Sequence, residues 1–117
     1  MPAPLRGTTL QDFGLWIIRR YHRFRVTGDS MLPSLTPDIE VLIDPKAYRH
    51  QLPNPGDVVV ARHPQQPDLL IIKRVESVMP DGNCHLQGDN LAASSDSRQF
   101  GCVPPNLLQG KVICTFP

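Results

Sequence analysis

The sequence predicts a mostly β fold of several short antiparallel strands, with one short amphipathic helix near its N-terminal end. Two observations carry that expectation. Six runs rich in Val, Ile and Leu, at 24–27, 40–44, 57–61, 69–78, 84–87 and 111–116, alternate with segments of Pro, Gly, Asp and Asn, the pattern of short strands separated by corners. Thirteen of the 117 residues are proline, about twice the ordinary share, and they are scattered in turn-like settings rather than gathered in one tract.

Taken in order, residues 1–7 contain two prolines and are expected to be flexible. Thr8 or Thr9 can cap a helix over 8–21, where Leu10, Phe13, Trp16, Ile17 and Tyr21 recur near the helical period. This helix would pack on the rest of the chain; Arg19, Arg20 and Arg23 also give it a way to rest on a membrane surface. The strands follow. Asn54-Pro55-Gly56-Asp57 and Pro80-Asp81-Gly82-Asn83 have the chemistry of tight reversals, the second at a hairpin tip. A chain of this length makes one domain, here 8–117, with the β-rich core at 24–117.

Composition excludes several classes. A net charge of +1 provides no basic field for nucleic acid. The three cysteines, Cys84, Cys102 and Cys114, have no metal-binding spacing and an odd number, which points to thiols in a reducing compartment. Cys84 beside His85 lacks the further ligands that zinc needs, so no metal is expected. His22, His50 and His63 lie in polar or proline-rich segments and are expected to be solvated. The longest apolar stretch near the N-terminus, 15–18, is far shorter than the roughly 20 residues of a membrane span, and no leader pattern is present. A soluble, cytoplasmic protein is expected, with peripheral membrane association through the helix as the alternative.

Three stretches can carry chemistry. In VTGDSMLPSL, residues 26–35, a strand runs into a tight turn that presents the hydroxyl of Ser30. An alcohol becomes a nucleophile only when a base takes its proton, and no histidine lies in a comparable setting. Lys73, within the apolar run 69–72 and beyond, is the remaining candidate, provided burial lowers its pKa. With a period of two, Leu69, Ile71, Lys73 and Val75 share one face of the strand, and Leu70, Ile72, Arg74 and Glu76 the other. Glu76 is then the expected partner of Arg74. A lysine in such a strand can equally snorkel to water. In GDNLAASSDSRQFG, residues 88–101, Ser94, Ser95 and Ser97 can hold an amine, and Asp96 with Arg98 can form a bidentate pair. The same composition also suits a surface loop.

The blocks GDSMLPSL, PGDVVVARHP, LIIKRV and GDNLAASSDSRQFGCVP, followed by LQGKV, stand in the order found in the type I signal peptidase family of Ser-Lys proteases, which the chain resembles from about Val26 to Val112. It is most similar to the small soluble branch known as nickel-type superoxide dismutase maturation proteases. The resemblance implies a β-rich catalytic core with Ser30 as nucleophile, Lys73 as general base and Ser94 as the hydroxyl that orients the lysine. It implies a structural ion pair between Asp96 and Arg98, an oxyanion site at the backbone of Ser30 beside Gly28, and support of the turn and substrate cleft by Met31 and Pro33. It implies no cofactor. The partner would be a precursor protein whose N-terminal leader is removed, that of nickel superoxide dismutase first, with secretory precursors as the alternative.

Two features depart from the family's pattern. Gly28 stands where some members carry a serine that helps hold the oxyanion. No membrane anchor is apparent, which argues against secretory substrates. An inactive β-rich module that binds peptides is the third reading.

Overall fold

The structure is a computed structural model and describes residues 21–116. The segment 1–7 and the helix expected over 8–21 lie outside the described residues, Tyr21 excepted. Six strands form one sheet: β1 (His22–Arg25), β2 (Glu40–Asp44), β3 (Val58–Arg62), β4 (Leu70–Val78), β5 (Cys84–Gln87) and β6 (Leu108–Phe116). Their order is β1-β2-β6-β3-β4-β5, and every neighbouring pair is antiparallel. The mostly β fold expected from the sequence is thus the one observed.

Local chemistry explains the joins. At the β4–β5 hairpin, Gly82 takes a φ of +90°, and Met79 N donates to Asn83 O at 2.8 Å. Before β3, Asp57 N donates to Asn54 O at 3.0 Å. The last strand enters the middle of the sheet between β2 and β3, and it starts at Leu108, three residues before the expected 111. Gly110 hides this start by interrupting the apolar pattern, yet it is what lets the strand pass: a Cβ there would lie 2.8 Å from the Asp44 carbonyl oxygen. Register shifts between Leu42 and Ile43 and between Val60 and Ala61 bend the strands on either side of it.

Both faces of the sheet are covered. Val41, Ile43, Val60 and Ile72 pack with Val26, Met31 and Leu35 in one buried cluster. Val59, Ala61, Val75 and Leu86 pack with Cys84 and Val103 in another. The neighbours Val59 and Val60 therefore serve opposite cores, as a period of two requires. This is why β3 is apolar through its middle rather than alternating. Lys73 lies on the face of the second cluster, between Ile71 and Val75.

Candidate active site

Ser30 begins a turn that closes by hydrogen bonds from Leu32 N to Asp29 O at 3.2 Å and from Leu35 N to Met31 O at 2.9 Å. Met31 and Leu35 are buried beneath it in the first cluster, so the turn is fixed to the core by two apolar anchors. Removing a side chain like that of Met31 costs about 2–5 kcal/mol. Gly28, with φ of +75°, lets the chain leave the strand region and turn; a side chain there would be strained. Pro33 lies on the exposed side of the turn, joined through a cis peptide to Leu32. Neither Met31 nor Pro33 is among the residues that line the cleft; Met31 is buried in the first cluster.

Lys73 comes from the middle of β4 and is only 5% exposed. Its Nζ donates to Ser94 Oγ at 3.1 Å, and that hydroxyl donates its own proton to Asp96 Oδ2 at 2.9 Å. Burial lowers the lysine's pKa from its ordinary value; the Asp96 carboxylate opposes this and the Arg98 guanidinium assists it. Asp96 is fully buried. That burial alone would favour the neutral acid, but hydrogen bonds from the Arg98 side chain, Gly88 N, Arg98 N and Ser94 outweigh it and bring the pKa to about 2. The Arg98 contact is bidentate, Nε to Oδ1 at 2.9 Å and a terminal nitrogen to Oδ2 at 3.2 Å. The carboxylate is thereby committed to arginine and backbone. Lys73 meets it only through a hydroxyl.

The loop that carries these groups ends in the short helix α1 (Ser97–Phe100), which Asp96 caps. Of the three hydroxyls, Ser94 holds the amine. Ser97 Oγ accepts from Leu86 N at 2.9 Å, tying the loop to β5, and Ser95 sits on the cleft rim. Ser30 and Lys73 line one open cleft of about 380 Å³, together with Gly28, His63, Ile71 and Ser95. Among the described residues Ser30 Oγ makes no hydrogen bond, with Lys73 or any other group, and the Ser30 backbone N–H is likewise unpaired.

A second set of residues joins the two halves of the cleft, and sequence reasoning missed it. Arg74, the neighbour of Lys73, grips Asp89 with two bonds, at 2.8 and 2.9 Å. Asp89 accepts from Ser34 Oγ at 2.5 Å. Asn90 N donates to Ser30 O at 2.8 Å, and Asn90 Nδ2 donates to Asp29 O at 3.1 Å. The expected Arg74–Glu76 pairing is therefore corrected. Asp89 offers the guanidinium a bidentate partner, whose bonds hold the carboxyl's pKa below its ordinary value, while Glu76 accepts from Ser77 Oγ. Gly88 completes the join: a Cβ there would meet Ser94 Oγ and lie 2.6 Å from Ser30 O. The signal that could have found this set is the Gly-Asp-Asn run itself, which is more than a turn needs.

The expectation of a solvated His63 is also corrected. It is 8% exposed, its ring centroid lies 4.5 Å from that of Phe100, and its Nδ1 accepts from Gln65 N at 3.0 Å. The proline-rich setting suggested a loop tip, but the pairing of β3 with β4 continues to His63 N and Leu69 O at 2.8 Å, which places the ring over the sheet.

Comparison with known proteins places the chain in a family. The family described as "Signal peptidase, peptidase S26" matches residues 13–78 and 75–116, and the chain belongs to that family of peptidases. Its curated relatives include mitochondrial ATP-independent inner membrane protease subunit 1b of Arabidopsis thaliana, 36% identical over 108 residues, covering 74% of this chain and 64% of the relative. They include mitochondrial inner membrane protease subunit 1 of Xenopus tropicalis, 32% identical over 106 residues, covering 74% and 63%. Subunit 2 of Schizosaccharomyces pombe is 30% identical over 118 residues, covering 79% and 63%. The matched region spans less than two thirds of each of these relatives.

These names overturn the expectation of a soluble, cytoplasmic protein, since they belong to inner membrane proteases and point toward membrane association. The expectation rested on the length of apolar runs, which detects only spanning helices; a protein held at a membrane surface needs none. No helix among the described residues is long and apolar enough to cross a membrane.

Proposed function

We propose that the protein is a serine endopeptidase in which Lys73 is the general base for Ser30, and that it removes the N-terminal leader of a precursor protein. The observation that carries this reading is the environment of Lys73: an almost fully buried amine whose partner is the Ser94 hydroxyl. An ordinary lysine is neutral in about one molecule in a few thousand at pH 7. Desolvation raises that fraction, and a hydroxyl, unlike a carboxylate, does not restore the charge.

In this mechanism neutral Lys73 takes the Ser30 proton as Oγ attacks the scissile carbonyl, and the Ser30 N–H receives the oxyanion. Collapse breaks the C–N bond as the ammonium returns its proton to the leaving amine. Water, deprotonated in turn by Lys73, then hydrolyses the ester and frees Ser30. With Gly28 in place of a hydroxyl donor, oxyanion stabilisation rests on backbone N–H groups. Asp96 and Arg98 hold Ser94, and the Arg74–Asp89–Asn90 set holds the Ser30 turn against β4. The chemistry requires no cofactor, and the substrate would bind extended along the cleft.

For the substrate, the resemblance to the small maturation proteases favours the nickel superoxide dismutase precursor. The names of the curated relatives favour a second reading, cleavage of precursors at a membrane surface. The test is to incubate the protein, and its Ser30→Ala and Lys73→Ala forms, with the nickel superoxide dismutase precursor and to read new N-termini by mass spectrometry. A single cut at the leader junction by the parent alone is expected. Cutting by either variant would remove the dyad. A parent inactive on this precursor, yet active on a presequence-bearing precursor with vesicles present, would select the membrane reading.

A further inference from the structure

His63 has no part in the mechanism above, yet it is a buried polar residue in the wall of the same cleft. Its Nδ1 accepts from Gln65 N, so the neutral ring carries its proton on Nε2. Nε2 has no partner among the described residues, and it is not a sealed, unsatisfied atom either. A donor that is neither bonded nor sealed off, on a buried residue whose ring packs against Phe100 and which lines the cleft, is left available to a group bound in that cleft.

Its distance from the chemistry follows from the sheet register. Val59 stands opposite Lys73, and alternation along β3 puts Val59, Ala61 and His63 on one face, that of Lys73. Four residues of strand separate His63 from the row of Lys73, a rise of about 13 Å. That backbone separation sets His63 beside Leu69 and Gln66, along the cleft from the row of Lys73. An extended peptide rises by the same amount per residue, so His63 reaches a substrate residue about three to five positions from the cut. Ile71, opposite Ala61, lines the space between, and Leu69 stands beside His63.

We infer that His63 is a specificity-determining residue, whose Nε2–H selects a carbonyl or carboxylate side chain on the substrate three to five residues from the scissile bond. This rests on the endopeptidase reading, and it names a requirement that the Ser-Lys chemistry does not impose. A buried donor left unpaired by an apolar substrate residue opposes binding, whereas an acceptor there completes the hydrogen bond.

The experiment uses peptides that span the nickel superoxide dismutase leader junction, with each position two to six residues from the cut replaced in turn by Asn and by Leu, which are close in size. The parent is expected to prefer Asn at one position three to five residues away by about tenfold in kcat/KM. His63→Phe keeps the ring against Phe100, and the preference should fall below about twofold; His63→Gln, which restores an N–H donor, should recover part of it. Equal discrimination by the parent and His63→Phe, or no position that favours Asn, would overturn the inference. A parent that cuts none of these peptides counts against this leader as the substrate instead. In that event binding decides: the Asn peptide should shift the His63 Nε2 resonance and its Leu counterpart should not, and an unmoved resonance ends the proposal.

Discussion

Two lysines flank Val59 in the same row of the sheet, Lys73 on β4 and Lys111 on β6, and they share a face and a strand setting. Lys73 is buried against a hydroxyl. Lys111 has a side chain 40% exposed and sits 3.7 Å from the Asp57 carboxylate. Position in a strand therefore does not by itself strip a lysine of water. The difference arises from what the neighbouring loops bring: the 88–101 loop covers Lys73 and assigns its own carboxylate to Arg98, while Asp57 at the start of β3 reaches Lys111 directly. A partly exposed ion pair of the second kind contributes at most about 1 kcal/mol to stability. The first arrangement sacrifices stability, because a desolvated amine is held against a neutral hydroxyl acceptor rather than a carboxylate.

Exchanging the two environments would break the comparison most severely. Lys73→Met should lower peptidase activity by about 10⁴-fold or more, while the melting temperature stays level or rises, since an apolar chain of similar length replaces the desolvated amine; a large loss of stability would show that Lys73 is chiefly structural. Ser94→Asp would give Lys73 the kind of partner Lys111 has. Its pKa should rise, and the acidic limb of the kcat/KM profile should move upward, with activity at pH 7 falling about 10²-fold. An unmoved limb would mean that another group is the base.

The loop's own carboxylate sets a smaller effect. The Asp96 pKa is depressed to about 2 in the folded protein, against about 3.9 unfolded. Its contribution to stability is therefore fully present above the unfolded value and is lost as pH falls from about 4 to about 2, with a size of roughly 2 kcal/mol. Asp96→Asn should abolish this part of the acid unfolding profile, measured by chemical denaturation across that range. The smallest effect belongs to the control: Lys111→Met should change stability by less than about 1 kcal/mol and activity by less than about twofold.

The strands were legible because apolar runs between proline and glycine corners leave few alternatives, and β2 and β5 have the bounds their runs predict. Ser30 and Lys73 were legible as candidates because a hydroxyl in a tight turn and a lysine amid aliphatic residues are each unusual. The Arg74 partner was not. Strand alternation offers Glu76 as a neighbour, but the bidentate partner Asp89 comes from 15 residues away, beyond a register shift between Val75 and Ser77. His63 was hidden for a similar reason, since a proline-rich loop masks the continued pairing of β3 with β4.

The β-rich character of the chain, its short strands between corners and the chemical types available for catalysis could be read from the sequence alone, because these follow from short-range periodicity and from the residues themselves. Which lysine loses its water was settled by the folded arrangement of distant segments. That choice depends on the loop folded over β4, on Asp96 being already bound to Arg98, and on Gly88 allowing the Ser30 turn and Ser94 to approach. Desolvation is a property of everything that surrounds an atom, and the groups surrounding Lys73 come from distant parts of the chain.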